Sequence, residues 1–296
     1  MSGKKIIAVF GATGAQGGGL VRAILADKNG PFTARAITRD ANSDKAKALA
    51  ALGAQVVAAD TDKPETLTAA LAGAHGAFCV TNFWEHGDAD REGKQAAAMA
   101  RATKAAGVQH VVWSTLEDVR KWIPLDDARL PTLHGKYKCP HFDSKGVMDD
   151  VFAKEAAPTS YLMAAFYWDN FIYFGMGPRA GEDGSLVLEL PLGGATLPGI
   201  AAADIGPCAY GIFQNGTSAV GHRFGISGEN LTGPQMAEKM GKALGGLGPR
   251  FLLPGDSRFD IPSDRGHTPG GGGHPMRKSK FSPEQILQAL EAVQVG

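Results

Sequence analysis

The run KKIIAVFGATGAQGGG, Lys4 to Gly19, sets a short apolar stretch directly against a cluster of glycines. IIAVF is near-continuously apolar, as a parallel strand covered on both faces has to be. A helical pattern begins at Ala15, so the glycines occupy a strand-to-helix junction. Gly11, Gly14 and Gly17 are spaced there as G-x-x-G-x-x-G. Everything else about the fold depends on whether this unit repeats.

It does. IIAVF, ARAIT, QVVAA, GAFCV, HVVWS and TSYLMAA read as six strands, and helices fit between them at Ala15 to Asp27, Asp44 to Leu52, Pro64 to Ala72, Asp88 to Ala106 and Pro140 to Glu155. Pro64 and Pro140 suit first helical turns, where the missing N–H costs nothing. Six strands joined by five helical crossovers predict an α/β fold, a doubly wound parallel sheet of Rossmann type over residues 1–165.

Past Ala165 the rhythm breaks. An aromatic run, FYWDNFIYFG, precedes SLVLELPLGG, read as a strand and turn; Asp204 is placed to cap the helix IGPCAYGIF. Thr232 and Gln235 form a T-x-x-Q capping box. Residues 166–245 therefore read as a smaller mixed C-terminal lobe. Gly245 to Pro275 holds nine glycines and five prolines, a composition expected to carry no regular element, so 246–281 reads as a flexible Gly/Pro-rich segment. Ser282, Pro283 and Gln285 then start a short helix over 282–296, with Ile286, Leu290 and Val293 on one side.

Composition narrows the function. Of 296 residues, 44% are hydrophobic and 20% charged, and 30 basic side chains balance 30 acidic ones. That balance gives no support to a general nucleic-acid or membrane-surface partner. No apolar stretch approaches the roughly 20 residues of a membrane span. The N-terminal apolar run leads into glycines and not a cleavage site, and Cys79, Cys139 and Cys208 are too few and too scattered for a disulfide framework. A cytoplasmic location is expected. There is no H-E-x-x-H, C-x-x-C or carboxylate cluster, so no metal site is expected; His267 and His274 stand in the Gly/Pro tail without partners. RKSK, 277 to 280, reads as solvated charge.

A glycine loop after a buried first strand, opening a helix, is where a dinucleotide pyrophosphate sits. Missing side chains let the backbone approach the phosphates, and the free N–H groups of the new helix favour negative charge. An acid at the end of the second strand, about 20 residues on, would pair with the ribose of NAD. Here Thr38 and Arg39 stand at that point, which favours NADP(H) over NAD(H) through a charge-assisted bond to the 2′-phosphate. The alternatives are a solvated surface arginine, or Asp40 as the ribose acid in a register shifted by one. Asp60, ending the third strand, either reaches the adenine or caps the next helix. Thr81, Asn82, Phe83 and Trp84 follow the fourth strand, at the crevice where a cofactor crosses the sheet edge.

FGATGAQGG followed by AITRD, VTNFWE, HFDSKG and SGENLTG resembles the NmrA-like family of atypical short-chain dehydrogenase/reductases, from about Lys4 to Gly245. The resemblance implies a Rossmann domain binding NADP(H), with Gly11, Thr13, Gly14, Gln16 and Gly17 at the phosphates and Arg39 at the 2′-phosphate. It also implies a choice of roles, since the family contains a nitrogen-metabolism regulator, a sensor of the NADPH state and quinone reductases.

Short-chain reductases use Y-x-x-x-K on one helix, the lysine holding the ribose and lowering the pKa of the tyrosine acid. By resemblance Lys145 stands in the lysine position, but His141 occupies the place of the tyrosine. Tyr137 lies before Pro140 and is expected in the preceding loop. Ser114 and Thr115 end the fifth strand, where these enzymes keep a substrate-polarising hydroxyl; the other reading is a satisfied strand-end hydroxyl. His141 is either a proton donor or a packed, neutral residue at a helix start. The aromatics Phe166 to Phe174 either line a pocket for a flat substrate or form a hydrophobic hinge. Two readings follow: an NADP(H)-binding redox sensor or regulator acting through a protein partner with little turnover, and an NAD(P)H-dependent oxidoreductase for quinones or similar flat acceptors, with Lys145 and His141 as its candidate catalytic residues.

Overall fold

The computed structural model describes residues 3–181, 185–244 and 249–252, and divides into two compact units. The first is built from Met1–Ala165 and Ala201–Ile226, the second from Phe166–Ile200 and Ser227–Gly296.

In chain order the first unit begins with β1 (Lys5–Val9), α1 (Ala15–Ala26), β2 (Phe32–Thr38), α2 (Asp44–Ala51), β3 (Gln55–Ala58), α3 (Leu67–Ala70), β4 (Gly76–Cys79), α4 (Ala89–Ala105), β5 (His110–Thr115), α5 (Pro140–Glu155) and β6 (Thr159–Ala164). The second contributes β7 (Phe166–Tyr167), α6 (Asn170–Tyr173), β8 (Arg179–Ala180), β9 (Leu186–Glu189) and β10 (Leu197–Ile200). The chain then returns to the first unit for α7 (Ala202–Asn215) and β11 (Arg223–Ile226), and ends its described part in the second with β12 (Glu229–Leu231), α8 (Gly233–Ala243) and β13 (Arg250–Leu252).

All seven strands of the first unit are parallel, in the order β11-β6-β5-β4-β1-β2-β3. Strand order reverses between β1 and β4, so the crevice at their carboxyl ends is the switch point of the sheet. Alternate residues face opposite helical layers. Ala8, Ala77, Cys79, Val111 and Trp113 pack with α4 and α5 residues such as Met99 and Phe152. On the other face Phe32 meets Tyr210 and Phe213 of α7. There α1 and α7 cross at glycine contact: a Cβ on Gly206 would lie 2.1 Å from the Gly19 carbonyl carbon. Such an approach is open only to residues without side chains.

In the second unit, Phe166, Trp168 and Phe171 pack with Leu188, Leu190, Leu231, Met236 and Met240, while Tyr173 and Phe174 are exposed. The aromatic run thus supplies most of the aromatic core of this unit. Thr232 caps α8 in a full capping box with Gln235.

The structure departs from sequence expectation at five places. A seventh strand, β11, extends the sheet beyond the six expected, because RFGI pairs with Tyr161–Ala164. The smaller unit is therefore not one run over 166–245, since 201–226 folds with the first unit. Asp204 is not a cap: α7 begins at Ala202 with Ala201 at its cap position, leaving Asp204 in the first turn. Pro64 to Ala72 is not one α-helix but a 3₁₀ turn, Pro64–Thr66, running into α3. Within the Gly/Pro-rich stretch, Arg250–Leu252 forms a strand parallel to β9. The rest of that stretch, with His267, His274, RKSK and the helix expected over 282–296, lies outside the described residues.

Candidate functional site

The glycine loop lies at the carboxyl end of β1. Phe10 still donates its N–H to Phe78 O (3.0 Å), and the chain then turns at Gly11, whose φ of +61° suits glycine. Gly14 N–H donates to Gly11 O at 2.9 Å, and α1 starts at Ala15. A Cβ on Gly17 would stand 2.5 Å from Gly11 O and 2.8 Å from Phe10 O, so glycine there lets the helix pack against the strand end. No side chain caps α1, and its first turn holds no acid. The free N–H groups of that turn are left for an anion, beside a loop with no side chain in the way at Gly11 or Gly14.

Two of the residues between Gly11 and Gly17 carry polar side chains. Thr13 is half-buried, and Gln16 accepts a hydrogen bond from Ser114 Oγ at 2.7 Å. Gln16 therefore ties α1 to the end of β5, and Ser114, buried and engaged, is a satisfied strand-end hydroxyl. Thr115 is likewise buried and donates to Leu116 O at 3.2 Å.

At the end of β2, Arg39 is exposed and donates to Glu85 Oε1. Asp40 is turned the other way: its carboxylate accepts the Asn42 N–H at 2.8 Å and its carbonyl accepts from Ser43, the cap of α2. Asp60 folds its own loop, taking the Asp62 N–H at 3.0 Å, while its backbone is bound on both sides by Thr66 Oγ1. It caps no helix, since Lys63 holds the cap position of the 3₁₀ turn.

Beyond β4, Thr81 is buried and Asn82 exposed, the latter heading the turn Phe83–Glu85. Thr81 belongs to a closed polar cluster. Its hydroxyl donates to Glu92 Oε1 at 2.7 Å, and Ser144 Oγ donates to Glu92 Oε2 at 2.5 Å. Lys145 Nζ reaches Thr81 Oγ1 (2.6 Å), Thr81 O (3.1 Å) and Glu92 Oε1 (3.3 Å), and lies 5.2 Å from the Trp113 ring centre. Burial pulls the Lys145 ammonium below its ordinary pKa, and the Glu92 carboxylate opposes that pull.

His141 sits in the first turn of α5, one turn before Lys145. Its ring lies 4.8 Å from Trp84, 5.7 Å from Phe83 and 3.6 Å (Nδ1) from Cys139 Sγ. Burial lowers its pKa from the ordinary 6.5, so the imidazole is neutral at neutral pH. Tyr137 lies in the loop before α5, donating to Asp90 Oδ1 at 2.8 Å, and does not share the face of Lys145. Asp143, wholly buried, accepts the N–H groups of Val119, Lys138 and Cys139 and so fixes the entry to α5.

The NmrA-like family model matches residues 3–254. The chain belongs to the NmrA-like family. Among its relatives, the NmrA-like family domain-containing oxidoreductase malD of Malbranchea aurantiaca is 34% identical over 230 residues, 72% of this chain and 65% of malD. The oxidoreductase notA' of Aspergillus versicolor is 33% identical over 71% of this chain and 61% of its own length. The chain thus spans less than two thirds of these two relatives. Among solved structures, NmrA, a negative transcriptional regulator in complex with NAD, superposes with a TM-score of 0.70 at 23% identity, over 99% of this chain and 82% of that one. A triphenylmethane reductase of Citrobacter sp. complexed with NADP(H) gives 0.64 at 20% identity, over 84% and 78%. At these identities the structural likeness shows the fold.

In this NmrA-like chain the structure brings Thr81 and Lys145 together, and places the glycine loop, Arg39, Thr81 and Asn82 at the ends of the adjacent strands β1, β2 and β4. It does not link Asp60, which serves its own loop. The sequence reading passed over Glu92, Ser144, Asp143 and Glu85. Glu92 was findable: with Ala89, Ala96, Met99 and Thr103 it lies on one buried stripe of α4, and an acid on such a stripe requires a partner.

Proposed function

We propose that this NmrA-like protein binds NADP(H) across the carboxyl ends of β1, β2 and β4, and that it acts as a redox-state sensor or regulator with little turnover. The observation that carries the reading is the uncapped, acid-free first turn of α1 under a glycine loop whose Gly11 and Gly17 admit no side chain. The pyrophosphate would lie on the N–H groups of that turn, the 2′-phosphate on Arg39, and the nicotinamide ribose near Thr81 and Lys145. The NAD and NADP(H) held by structural relatives support a nicotinamide dinucleotide as the ligand.

Bound NADPH would supply a hydride. Carbonyl reduction also needs a proton donor, and the chain's own groups serve that need poorly: Tyr137 lies outside the helix and donates to Asp90, Ser114 donates to Gln16, and His141 is neutral. A bound cofactor would then report its redox state through the protein surface to a regulatory partner, in a cytoplasmic setting.

A second reading, an oxidoreductase reducing quinones or similar flat acceptors, draws support from the names of the relatives and from the aromatic pair Phe83 and Trp84 beside His141. A quinone accepts hydride readily and can take its proton from water. Calorimetric titration with NADP, NADPH and NAD, followed by a quinone-dependent NADPH oxidation assay on the same sample, separates the two. Tight NADP(H) binding without steady NADPH loss supports the sensor. Sustained turnover, at a rate typical of enzymes of about 1 per second or more, replaces it with the reductase.

A further inference from the structure

Glu92 is 1% exposed, yet it carries no partner of full opposite charge other than Lys145 among the contacts of its two oxygens. A buried carboxylate is costly unless it is paired and hydrogen-bonded. Here Oε1 receives the Thr81 hydroxyl and faces the Lys145 ammonium, and Oε2 receives the Ser144 hydroxyl. Three elements meet here: the end of β4, the first turn of α4 and the start of α5. The arrangement is a seat around one lysine.

All three N–H bonds of the Lys145 ammonium have acceptors within the seat, two on Thr81 and one on Glu92. The contact to Glu92 is the longest, at 3.3 Å, and its N–H is the one a ribose hydroxyl would share with the carboxylate, the ion pair remaining in place. The two shorter bonds to Thr81 would persist and fix the direction of the third. Thr81 itself is held by its own bond to Glu92, so the carboxylate orients the lysine twice over, once by charge and once through the threonine.

We infer that Glu92 is the positioning residue of the nicotinamide-ribose site: it keeps Lys145 charged inside an almost closed seat, so that the lysine offers a fixed N–H donor to a cofactor diol. This rests on the proposed dinucleotide site. Besides Glu92 from α4, the groups facing the ammonium are Thr81 after β4, the Trp113 ring on β5 and His141 one turn earlier on α5. Glu92 is the only carboxylate among them. Without it, burial is left unopposed and the lysine loses its proton at lower pH.

The experiment reads two quantities in wild type, Glu92→Gln, Glu92→Asp and Lys145→Met. The first is the ionisation of Lys145 in the cofactor-free chain, followed by carbon-13 NMR of lysine Cε between about pH 6 and 10, the resonance being assigned by its loss in Lys145→Met. The second is NADP affinity by calorimetry over the same range. Glu92→Gln is expected to lower the Lys145 midpoint by about one pH unit or more, and to make NADP binding weaken at correspondingly lower pH. Below that midpoint the loss of affinity is smallest, and it grows as pH rises through the midpoint.

Glu92→Asp keeps the charge one methylene further back, so its midpoint falls between the two. It also carries the test if Glu92→Gln does not fold. A lysine midpoint unchanged in both variants, or an affinity lost equally at every pH, overturns the inference and leaves Glu92 a structural residue. If wild type binds no dinucleotide, the proposed function falls with the ribose role, whereas binding by wild type without any midpoint shift sinks this inference alone.

Discussion

Arg39 donates to Glu85 across the carboxyl end of β1, because β2 and β4, which carry the two residues' loops, flank that strand. In this structure the arginine expected at the 2′-phosphate is already occupied by a carboxylate. On the proposed reading, binding of the 2′-phosphate is an exchange of anions on Arg39. Both side chains are well exposed, and such pairs contribute little, about 0.2–1 kcal/mol. Glu85→Gln is accordingly expected to tighten NADP binding by about two- to fivefold at low salt and to leave NAD unchanged, read by calorimetry with both nucleotides. Equal tightening of both would mean that Glu85 blocks the groove and does not compete for Arg39.

Arg39→Ala removes the charged side chain to which the proposed site assigns the extra phosphate. A hydrogen bond to a charged group contributes about 1.5–3 kcal/mol, so NADP affinity is expected to fall by about tenfold or more while NAD affinity barely changes. A variant that keeps its preference for NADP would move the phosphate site away from β2.

Gly17→Ala and Gly206→Ala separate loop from scaffold. The first drives a methyl group into Gly11 O, the second into the Gly19 backbone. Overpacking of this kind costs about 1–3 kcal/mol, so both lower the denaturation midpoint. Only Gly17→Ala is expected to abolish dinucleotide binding as well. Loss of binding in a folded Gly206→Ala protein would contradict that division.

His110 predicts an acid-sensitive fold. It is buried in β5, and Nε2 meets Ser160 Oγ at 2.8 Å; that hydroxyl donates to Ala219 O, so Nε2 carries a hydrogen. Burial pushes its pKa down to about 4 from 6.5. Because the folded state resists protonation, the stability tied to neutral His110 is present above the unfolded value and drains away as pH falls from 6.5 towards 4. A loss of about 3 kcal/mol is expected over that window. Urea denaturation at stepped pH measures it, and His110→Gln should flatten the slope.

Asp143→Ala strips three backbone N–H groups of their acceptor, one buried and two partly buried. At about 1–3 kcal/mol for each unsatisfied donor, the loss exceeds that of most single substitutions. Chemical denaturation is expected to show a drop of about 3–5 kcal/mol, and Asp143→Asn, which retains an acceptor oxygen, a smaller one.

The alternation of apolar strands and helical patterns made the sheet legible from Ile6 to Ala164, since each parallel strand had to be apolar through and through. The glycine loop was legible for the same reason: Gly11 and Gly17 answer to backbone geometry, which sequence spacing reports directly. Glu92, Glu85 and Asp143 were not read, because each acts on a partner 24 to 52 positions away or on backbone donors, and spacing along one helix does not reveal what arrives from another strand or loop. β11 escaped because RFGI is short and half-exposed, an edge strand whose one sheet neighbour among the described residues is β6. Its identity as a strand is decided by that neighbour.

The return of Ala201–Ile226 to the seven-stranded sheet sets rules for cutting the protein. A fragment ended at Ala165 would lose α7 and β11 together, baring the flank of β6 as an unprotected edge and the glycine face of α1 to water. Such a fragment would aggregate on expression. The first unit on its own has to be made by grafting 201–226 back onto 3–165 through a short linker, so a clean deletion of the smaller unit requires an internal splice from Ala165 to Ala201 as well as a stop codon after Ile226.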